Sequence, residues 1–206
     1  MALCSKTELL LRNGLATCGQ LYKHEMEGFY PRGGLIDESN LVRLYIEALR
    51  SYDNKPSNIY AWTEYLNGHG KRVDAVIKVN DDLVLLEAKR IKQGSRFGKS
   101  NAKIAISSIG KDSARLFTPS FYKKMEDNLR NNSVFSGDIY RVLISAIWLY
   151  KDPIANVEMN KAKQEWINKK AFSKEWNDCY TAEAACIDLG VSKKSDLSLL
   201  IAIAKN

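Results

Sequence analysis

Histidine and cysteine are scarce in this chain of 206 residues, which contains two histidines and four cysteines. The cysteines lie far apart in the sequence and show no Cys-x-x-Cys spacing, at Cys4, Cys18, Cys179 and Cys186. This pattern argues against a zinc site and favours reduced thiols in a cytoplasmic protein.

Long apolar runs are also missing. No stretch of about 18 apolar residues occurs, so we expect no membrane-spanning helix and no membrane partner. The leucines at positions 9–11 are bracketed by Lys6, Glu8 and Arg12, which argues against a secretory signal. Hydrophobic residues make up 45% of the chain and charged residues 27%, which is ordinary for a soluble globular protein. The length of 206 residues predicts one domain, or one domain with a small appendage.

Positive charge is concentrated in the middle of the chain. Residues 71–130 contain 14 Lys and Arg against 7 Asp and Glu, a surplus that equals the net charge of +7 for the whole chain. Such a basic segment suits a phosphate backbone, although solvated lysines on a helix face give the same count. The candidate nucleic-acid contacts are Arg72, Arg90, Lys92, Arg96, Lys99 and Lys103.

Residues 71–90 show the pattern of a β-hairpin, with two runs rich in Val, Ile and Leu on either side of a polar break at residues 80–82. A loop at the first two residues of the break places Asp74 opposite Glu87, and a loop at the last two places it opposite Lys89. Because side chains alternate between the faces of a strand, both registers put all three charged residues on one face.

Two carboxylates and an ammonium group on one face of a hairpin can form a metal site. Directly paired β-carbons lie about 5 Å apart, close enough for the carboxylates of Asp74 and Glu87 to share one metal ion. Two carboxylates at that distance repel each other unless a cation or a shared proton neutralises them. Oxygen ligands suit Mg²⁺ or Mn²⁺, and Lys89 is within reach of a metal-bound water or a phosphate oxygen. These are the parts of a site for phosphodiester hydrolysis.

A simpler interpretation exists for the same residues. A half-exposed antiparallel sheet with ion pairs on its solvent side also places Asp, Glu and Lys at alternate positions. Residues 83–86, however, read Leu-Val-Leu-Leu and are apolar on both faces, which is typical of a central strand. Charges that end a central strand are harder to explain as a solvated surface, so a catalytic site is favoured.

Asp74, twelve further residues and then Glu87-Ala88-Lys89 resemble the motif of the PD-(D/E)XK nuclease superfamily. One departure is Val73, which stands where the name of the motif has Pro. The resemblance implies an α/β fold with a three-layer, restriction-endonuclease-like core, in which helices flank a mixed central sheet.

The resemblance also implies a role for each residue of the motif. Asp74 and Glu87 are the implied metal ligands, and the Ala88 carbonyl is a further ligand. Lys89 is the implied catalytic lysine, which positions or activates the attacking water. The implied cofactor is Mg²⁺ or Mn²⁺, and the implied partner is DNA.

In this family an acidic residue of the first helix commonly completes the site. Residues 38–52 predict such a helix, because Asp37 is a good N-cap and an apolar stripe follows it. Glu38 is the first candidate and Glu47 the second. Glu38 also suits a helix N-terminus on electrostatic grounds alone.

The rest of the chain predicts alternating helices and strands. The predicted helices lie at about 8–27, 101–116, 119–130 and 160–174, and the predicted strands, besides the hairpin, at 59–66, 139–150, 182–189 and 198–204. The strand at 139–150 is expected beside the strand of Glu87, through a βαβ crossover. The segments at 182–189 and 198–204 are predicted as two edge strands, with helices as the alternative.

The resemblance extends over residues 38–150, and it divides the single domain into three parts. Residues 1–36 form an N-terminal helical extension, residues 37–150 the catalytic core, and residues 151–206 a C-terminal elaboration of helices and strands.

Three functions agree with these patterns. The favoured one is a metal-dependent endonuclease acting on DNA, of restriction or repair type, with Glu38, Asp74, Glu87 and Lys89 as catalytic residues. The others are a nucleic-acid-binding subunit on the same fold that does not cut, and a basic protein-interaction domain. The motif handles phosphate and not bases, so it does not indicate the DNA sequence or structure recognised. Cleavage of both strands of a symmetric site would favour a homodimer.

Overall fold

The structure is a computed structural model, which describes residues 5–29, 37–52, 58–66, 72–91, 109–150, 157–188 and 195–205. Helices and strands follow one another along these ranges. They are α1 (Lys6–Phe29), α2 (Glu38–Tyr52), β1 (Ile59–Leu66), β2 (Arg72–Val79), β3 (Asp82–Ile91), α3 (helical over 109–117), α4 (Pro119–Asn131), β4 (Ile139–Tyr150), α5 (Val157–Ile167), β5 (Tyr180–Asp188) and β6 (Ser195–Lys205).

The six described strands form one mixed sheet in the order β1-β2-β3-β4-β6-β5. β3 and β4 are parallel, and the other neighbours are antiparallel. Apolar residues of α1 and α2 pack on one face, and those of α3, α4 and α5 pack on the other. The α/β class and the mixed sheet flanked by helices are therefore confirmed.

The β2–β3 hairpin adopts the first of the two predicted registers. Val79 pairs with Asp82 across a turn in which Asn80 has a φ of 54°, a left-handed conformation that Asn tolerates better than most residues. The paired ladder runs as far as Ala75 and Leu86. Asp74 and Glu87 are thus the first residues beyond the ladder, at the end of the hairpin opposite the turn.

β4 lies beside β3 in the predicted parallel arrangement, with Glu87 paired to Leu143 and Lys89 to Ser145. α3 and α4 lie between these strands in the sequence and pack on one face of the sheet. The crossover therefore brings α3 and α4 over the face that carries Glu87.

α1 runs through Gly14 and Gly19 without a break, although both residues weaken an isolated helix. Ser5 caps it, since the Glu8 N–H donates to the Ser5 hydroxyl at 3.0 Å. A Cβ at Gly14 would lie 2.5 Å from a methyl group of Leu49, and one at Gly19 would lie 3.0 Å from the Cβ of Ala185. The glycines let the helix approach α2 and β5 closely.

Gly14→Ala is therefore expected to destabilise the protein by about 1 kcal/mol, because overpacking outweighs the gain in helix propensity. Gly28→Ala is the matched control, since a Cβ there meets nothing within 4 Å. That variant is expected to be stabilised by up to about 1 kcal/mol. Urea unfolding of both variants checks the pair, and equal shifts of the same sign would contradict the packing described here.

Two predictions in the C-terminal part were wrong. The helix predicted over 160–174 ends at Ile167, and Lys169 has a φ of 62°. This left-handed residue ends the helix and lets the Phe172 ring pack edge-to-face against Trp166, with ring centroids 4.9 Å apart. β6 is not an edge strand, because it lies between β4 and β5 and is buried over residues 197–204.

None of the helices in the described ranges is long and apolar enough to cross a membrane.

Candidate functional site

The candidate site lies at the carboxyl end of β3, where side chains from three elements meet. Glu87 and Lys89 belong to β3, Asp74 to β2 and Glu38 to the first turn of α2. Glu38 and Asp74 also line an open cavity of about 480 Å³ between α2 and the first two strands. The structure thus brings together the four residues that the sequence selected as catalytic.

Glu87 is the most deeply buried charged residue of the site, with 1% of its surface exposed. The Arg115 guanidinium of α3 donates to its Oε1 over 2.5 Å, and the Tyr122 hydroxyl lies 3.3 Å from the same oxygen. Burial and the nearby charge of Asp74 nevertheless outweigh Arg115, so they raise the pKa of Glu87 to about 8. Arg115 alone therefore does not offset the burial of this carboxylate and its repulsion by Asp74.

Lys89 is held between two carboxylates. Its Nζ lies 3.2 Å from Asp112 Oδ2 and 3.8 Å from Glu38 Oε2. Burial lowers the pKa of Lys89, but the combined effect of these carboxylates reverses the shift and raises the pKa above its ordinary value. Lys89 thus stays a positively charged hydrogen-bond donor at neutral pH.

The two other acidic residues accept hydrogen bonds from the backbone of β3. Asp74 Oδ2 accepts from the Ala88 N–H at 2.8 Å, and Glu38 Oε1 accepts from the Arg90 N–H at 3.0 Å. Both N–H groups lie beyond the end of the β2–β3 ladder, so side chains take over where strand pairing stops. These bonds hold the two carboxylates at the backbone of Ala88 and Arg90, the residues that flank Lys89 in the sequence.

We tested whether these residues suit a divalent cation. Among the residues that the structure describes, no group of three or more His, Cys, Asp or Glu side chains is placed to hold a metal ion. Proteins, however, commonly bind Mg²⁺ through only one or two carboxylates, and waters fill the other positions. The carboxylates of Asp74 and Glu87 meet this requirement. The charge of Asp74 is the second largest cause of the raised pKa of Glu87. The chemistry of this pair therefore fits a hard cation.

The remaining candidates have other surroundings. Glu47 is exposed and pairs with Arg43 one turn away, so Glu38 is the helix carboxylate that reaches the site. Arg72 is exposed and pairs with Glu64 on the neighbouring strand. Arg90 is half-buried at the end of β3. The other predicted nucleic-acid contacts lie outside the described residues, and these are Lys92, Arg96, Lys99 and Lys103.

Three residues of the site were missed from the sequence: Asp112, Arg115 and Tyr122. Asp112 lies 3.3 Å from Arg115 one helical turn away, and it joins this arginine to Lys89. An acidic and a basic residue three positions apart share a helix face, which is the one signal that the sequence offered. It did not show that this face covers the end of β3.

The raised pKa of Glu87 predicts how stability depends on pH in the metal-free protein. Its pKa is about 8 in the folded protein and 4.5 ordinarily, so the folded state binds the proton more tightly. The stability from this group is complete below pH 4.5 and is lost as pH rises through 8. The Glu87→Gln variant does not lose stability in this way, because glutamine does not titrate. Its free energy of unfolding relative to the wild type should therefore rise by about 4 kcal/mol between pH 4 and pH 9.

Urea unfolding in a chelating buffer at both pH values checks this difference, because all other titrating groups are common to the two proteins. Glu126→Gln is the matched control, since Glu126 forms a shielded pair with Arg141 on the same side of the sheet. A relative stability of Glu87→Gln that is equal at both pH values would contradict the assignment.

Comparisons of the chain with models of protein families, with curated proteins and with solved structures found no match. The geometry and chemistry of the site are therefore the basis for inferring a function.

Proposed function

We propose that this protein is a metal-dependent endonuclease that hydrolyses phosphodiester bonds in DNA, with a site of the PD-(D/E)XK type. The observation that carries the proposal is the meeting of Glu38, Asp74, Glu87 and Lys89 at the end of β3. These residues come from three parts of the sequence. Glu87 is buried and has a raised pKa, which the simpler interpretation, a sheet surface with ion pairs, does not require.

Asp74 and Glu87 are the residues that would hold Mg²⁺ or Mn²⁺. When bound, the cation would supply charge stabilisation at the scissile phosphate and a more acidic water. It would also add positive charge beside the buried Glu87, whose pKa stays raised despite its ion pair with Arg115. The Ala88 carbonyl stays a further candidate ligand, because the Ala88 N–H already fixes Asp74 beside it.

Lys89 would donate hydrogen bonds to the attacking water or to a phosphate oxygen. Asp112 and Glu38 keep its ammonium group in place and charged. A preorganised donor of this kind stabilises the charge that develops in the transition state, without reorganisation during the reaction. Glu38 and Asp74 line an open cavity, so a phosphodiester in this cavity would lie against two of the four proposed catalytic residues.

One observation favours a second candidate function. Arg115 forms an ion pair with Glu87, so a cation of the protein itself partly neutralises this carboxylate. A DNA-binding subunit that does not cut needs no metal ion, so this ion pair is sufficient for such a function. The two candidates differ in whether a metal ion restores cleavage.

The test is the conversion of supercoiled plasmid to open-circular or linear DNA, with Mg²⁺, with Mn²⁺ and with a chelator, and with junction and flap substrates in parallel. We expect cleavage only with a metal ion and its loss in Asp74→Asn. Asp81→Asn is the matched control, because Asp81 is exposed in the turn at the other end of the same hairpin. Equal cleavage by both variants would point to a contaminating nuclease.

Two other outcomes would replace the proposal. Salt-dependent DNA binding without cleavage under every metal and substrate would favour the non-cutting subunit. The absence of DNA binding at low salt would leave the basic protein-interaction domain.

A further inference from the structure

A second cavity, of about 370 Å³, lies against α4 and the start of β4. Arg141, Lys123, Arg130 and Tyr122 are among its lining residues, together with the acidic Glu126 and Asp127. Its volume is in the range of sites for small molecules. It is separate from the cavity at Glu38 and Asp74, with which it shares no lining residue.

Arg141 is the unusual member of this lining. It is 95% buried, since only 5% of its surface is exposed, and its Nη2 donates to Glu126 Oε1 at 2.9 Å. Its Nε and Nη1 are shielded from solvent and find no acceptor among the described residues. The Phe117 ring lies 5.2 Å from the guanidinium carbon and supplies no hydrogen-bond acceptor in its plane.

A buried guanidinium with unused donors is costly, because each unpaired donor keeps the penalty of leaving water. The protein supplies one carboxylate for Arg141, and Arg141 is among the residues that line the cavity. An oxyanion that approaches the guanidinium from the cavity would supply the acceptor that the described protein does not provide. Lys123 and Arg130, both exposed on α4, add positive charge at the same cavity.

We propose that this cavity binds a phosphomonoester through Arg141 and Lys123. The planar donors of arginine match phosphate oxygens, and a lysine at the cavity wall adds a second charge-assisted bond. A nucleoside monophosphate and the 5′-phosphate of a DNA end carry this group, and inorganic phosphate presents the same charged oxygens without the ester. The proposal goes beyond the nuclease function and does not depend on it.

Calorimetric titration in a chelating buffer at low salt tests the proposal, because it requires no metal ion and no cleavage. The ligands are inorganic phosphate, deoxythymidine monophosphate, and one oligonucleotide with either a 5′-phosphate or a 5′-hydroxyl group. We expect each phosphomonoester to bind, and the 5′-hydroxyl oligonucleotide to bind at least about tenfold more weakly than its phosphorylated form. Tighter binding of the nucleotide or DNA end than of inorganic phosphate would identify the source of the group.

The variants use neighbouring lysines as a matched pair. Lys123→Ala should weaken binding about tenfold, whereas Lys124→Ala should leave it unchanged, because Lys124 is equally exposed on α4 but does not line the cavity. Arg141→Lys, which keeps the charge but loses the planar donors, should weaken binding at least as much. If that variant fails to fold, the lysine pair still decides.

Three results would overturn the proposal. The first is no binding of any phosphomonoester at 10 mM, a concentration about tenfold above a weak millimolar dissociation constant. The second is equal weakening of binding by Lys123→Ala and Lys124→Ala. The third is binding that is lost in Lys89→Ala but retained in Lys123→Ala. The last result would place the anion at the end of β3.

Discussion

Lys89→Ala is expected to reduce the rate of metal-dependent plasmid nicking by at least about a hundredfold, which is typical for the loss of one preorganised donor. The ammonium group is the one cation that lies between Glu38 and Asp112 beside the proposed metal ligands in the described structure. Alanine removes the donor to the water or phosphate without adding a clash. Arginine at this position restores charge but not the compact shape of the ammonium group, so Lys89→Arg should recover little activity.

Lys78→Ala is the matched control for this experiment. Lys78 lies on β2 of the same hairpin, and its partner Leu83 is six residues from Lys89 along β3, about 20 Å at the usual rise of a strand. Its nicking rate should equal that of the wild type. Circular dichroism and urea unfolding of both variants separate a catalytic effect from misfolding. A Lys89→Ala protein that is folded and as active as the wild type would remove Lys89 from the mechanism.

Arg115→Ala is expected to lower the free energy of unfolding by about 3 kcal/mol at pH 9 without metal, because it leaves the buried Glu87 without its closest cation. The loss should be smaller at pH 5, where Glu87 gains a proton in the folded protein. Metal ions should then stabilise this variant more than the wild type, because a bound cation replaces the missing guanidinium. Urea unfolding at the two pH values, with and without Mg²⁺, measures all of these effects.

Two further variants locate the cause of this loss. Arg43→Ala removes a guanidinium that pairs with Glu25 and Glu47 at the surface, so it should cost less than about 1 kcal/mol. In the double variant of Arg115→Ala with Glu87→Gln, most of the destabilisation should disappear, because no buried charge is left unpaired. An additive double variant would show that Arg115 stabilises the fold by packing and not by its charge.

Local sequence patterns predicted the elements whose signals are strong. α2 coincides with the predicted 38–52, because a good N-cap at Asp37 and an apolar stripe agree with each other. β4 coincides with the predicted strand at 139–150. The C-terminal part was less predictable, since the end of α5 depends on the packing of Phe172 against Trp166, which lies beyond any local pattern.

The position of β6 could have been read differently. Residues 199–204 read Leu-Leu-Ile-Ala-Ile-Ala, apolar on both faces, which is the pattern of a central strand. Chain order does not fix the order of strands in a sheet, and β6 lies between β4 and β5.

The site was predictable where its residues follow the period of a strand. Asp74, Glu87 and Lys89 were selected by alternation within one hairpin, and Glu38 by its place at the start of a helix. Asp112 and Arg115 reach the site because the crossover packs α3 over β3. Such a contact depends on tertiary structure, so the arginine that neutralises Glu87 was not expected.

A crystal structure with Mn²⁺ tests the central claim most directly, because anomalous scattering locates the ion independently of cleavage. We predict one anomalous peak within bonding distance of a carboxylate oxygen of Asp74 and one of Glu87, and its loss in crystals of Asp74→Asn. The account would be contradicted by crystals at saturating Mn²⁺ that show no peak at the end of β3 and in which Arg115 still forms its ion pair with Glu87.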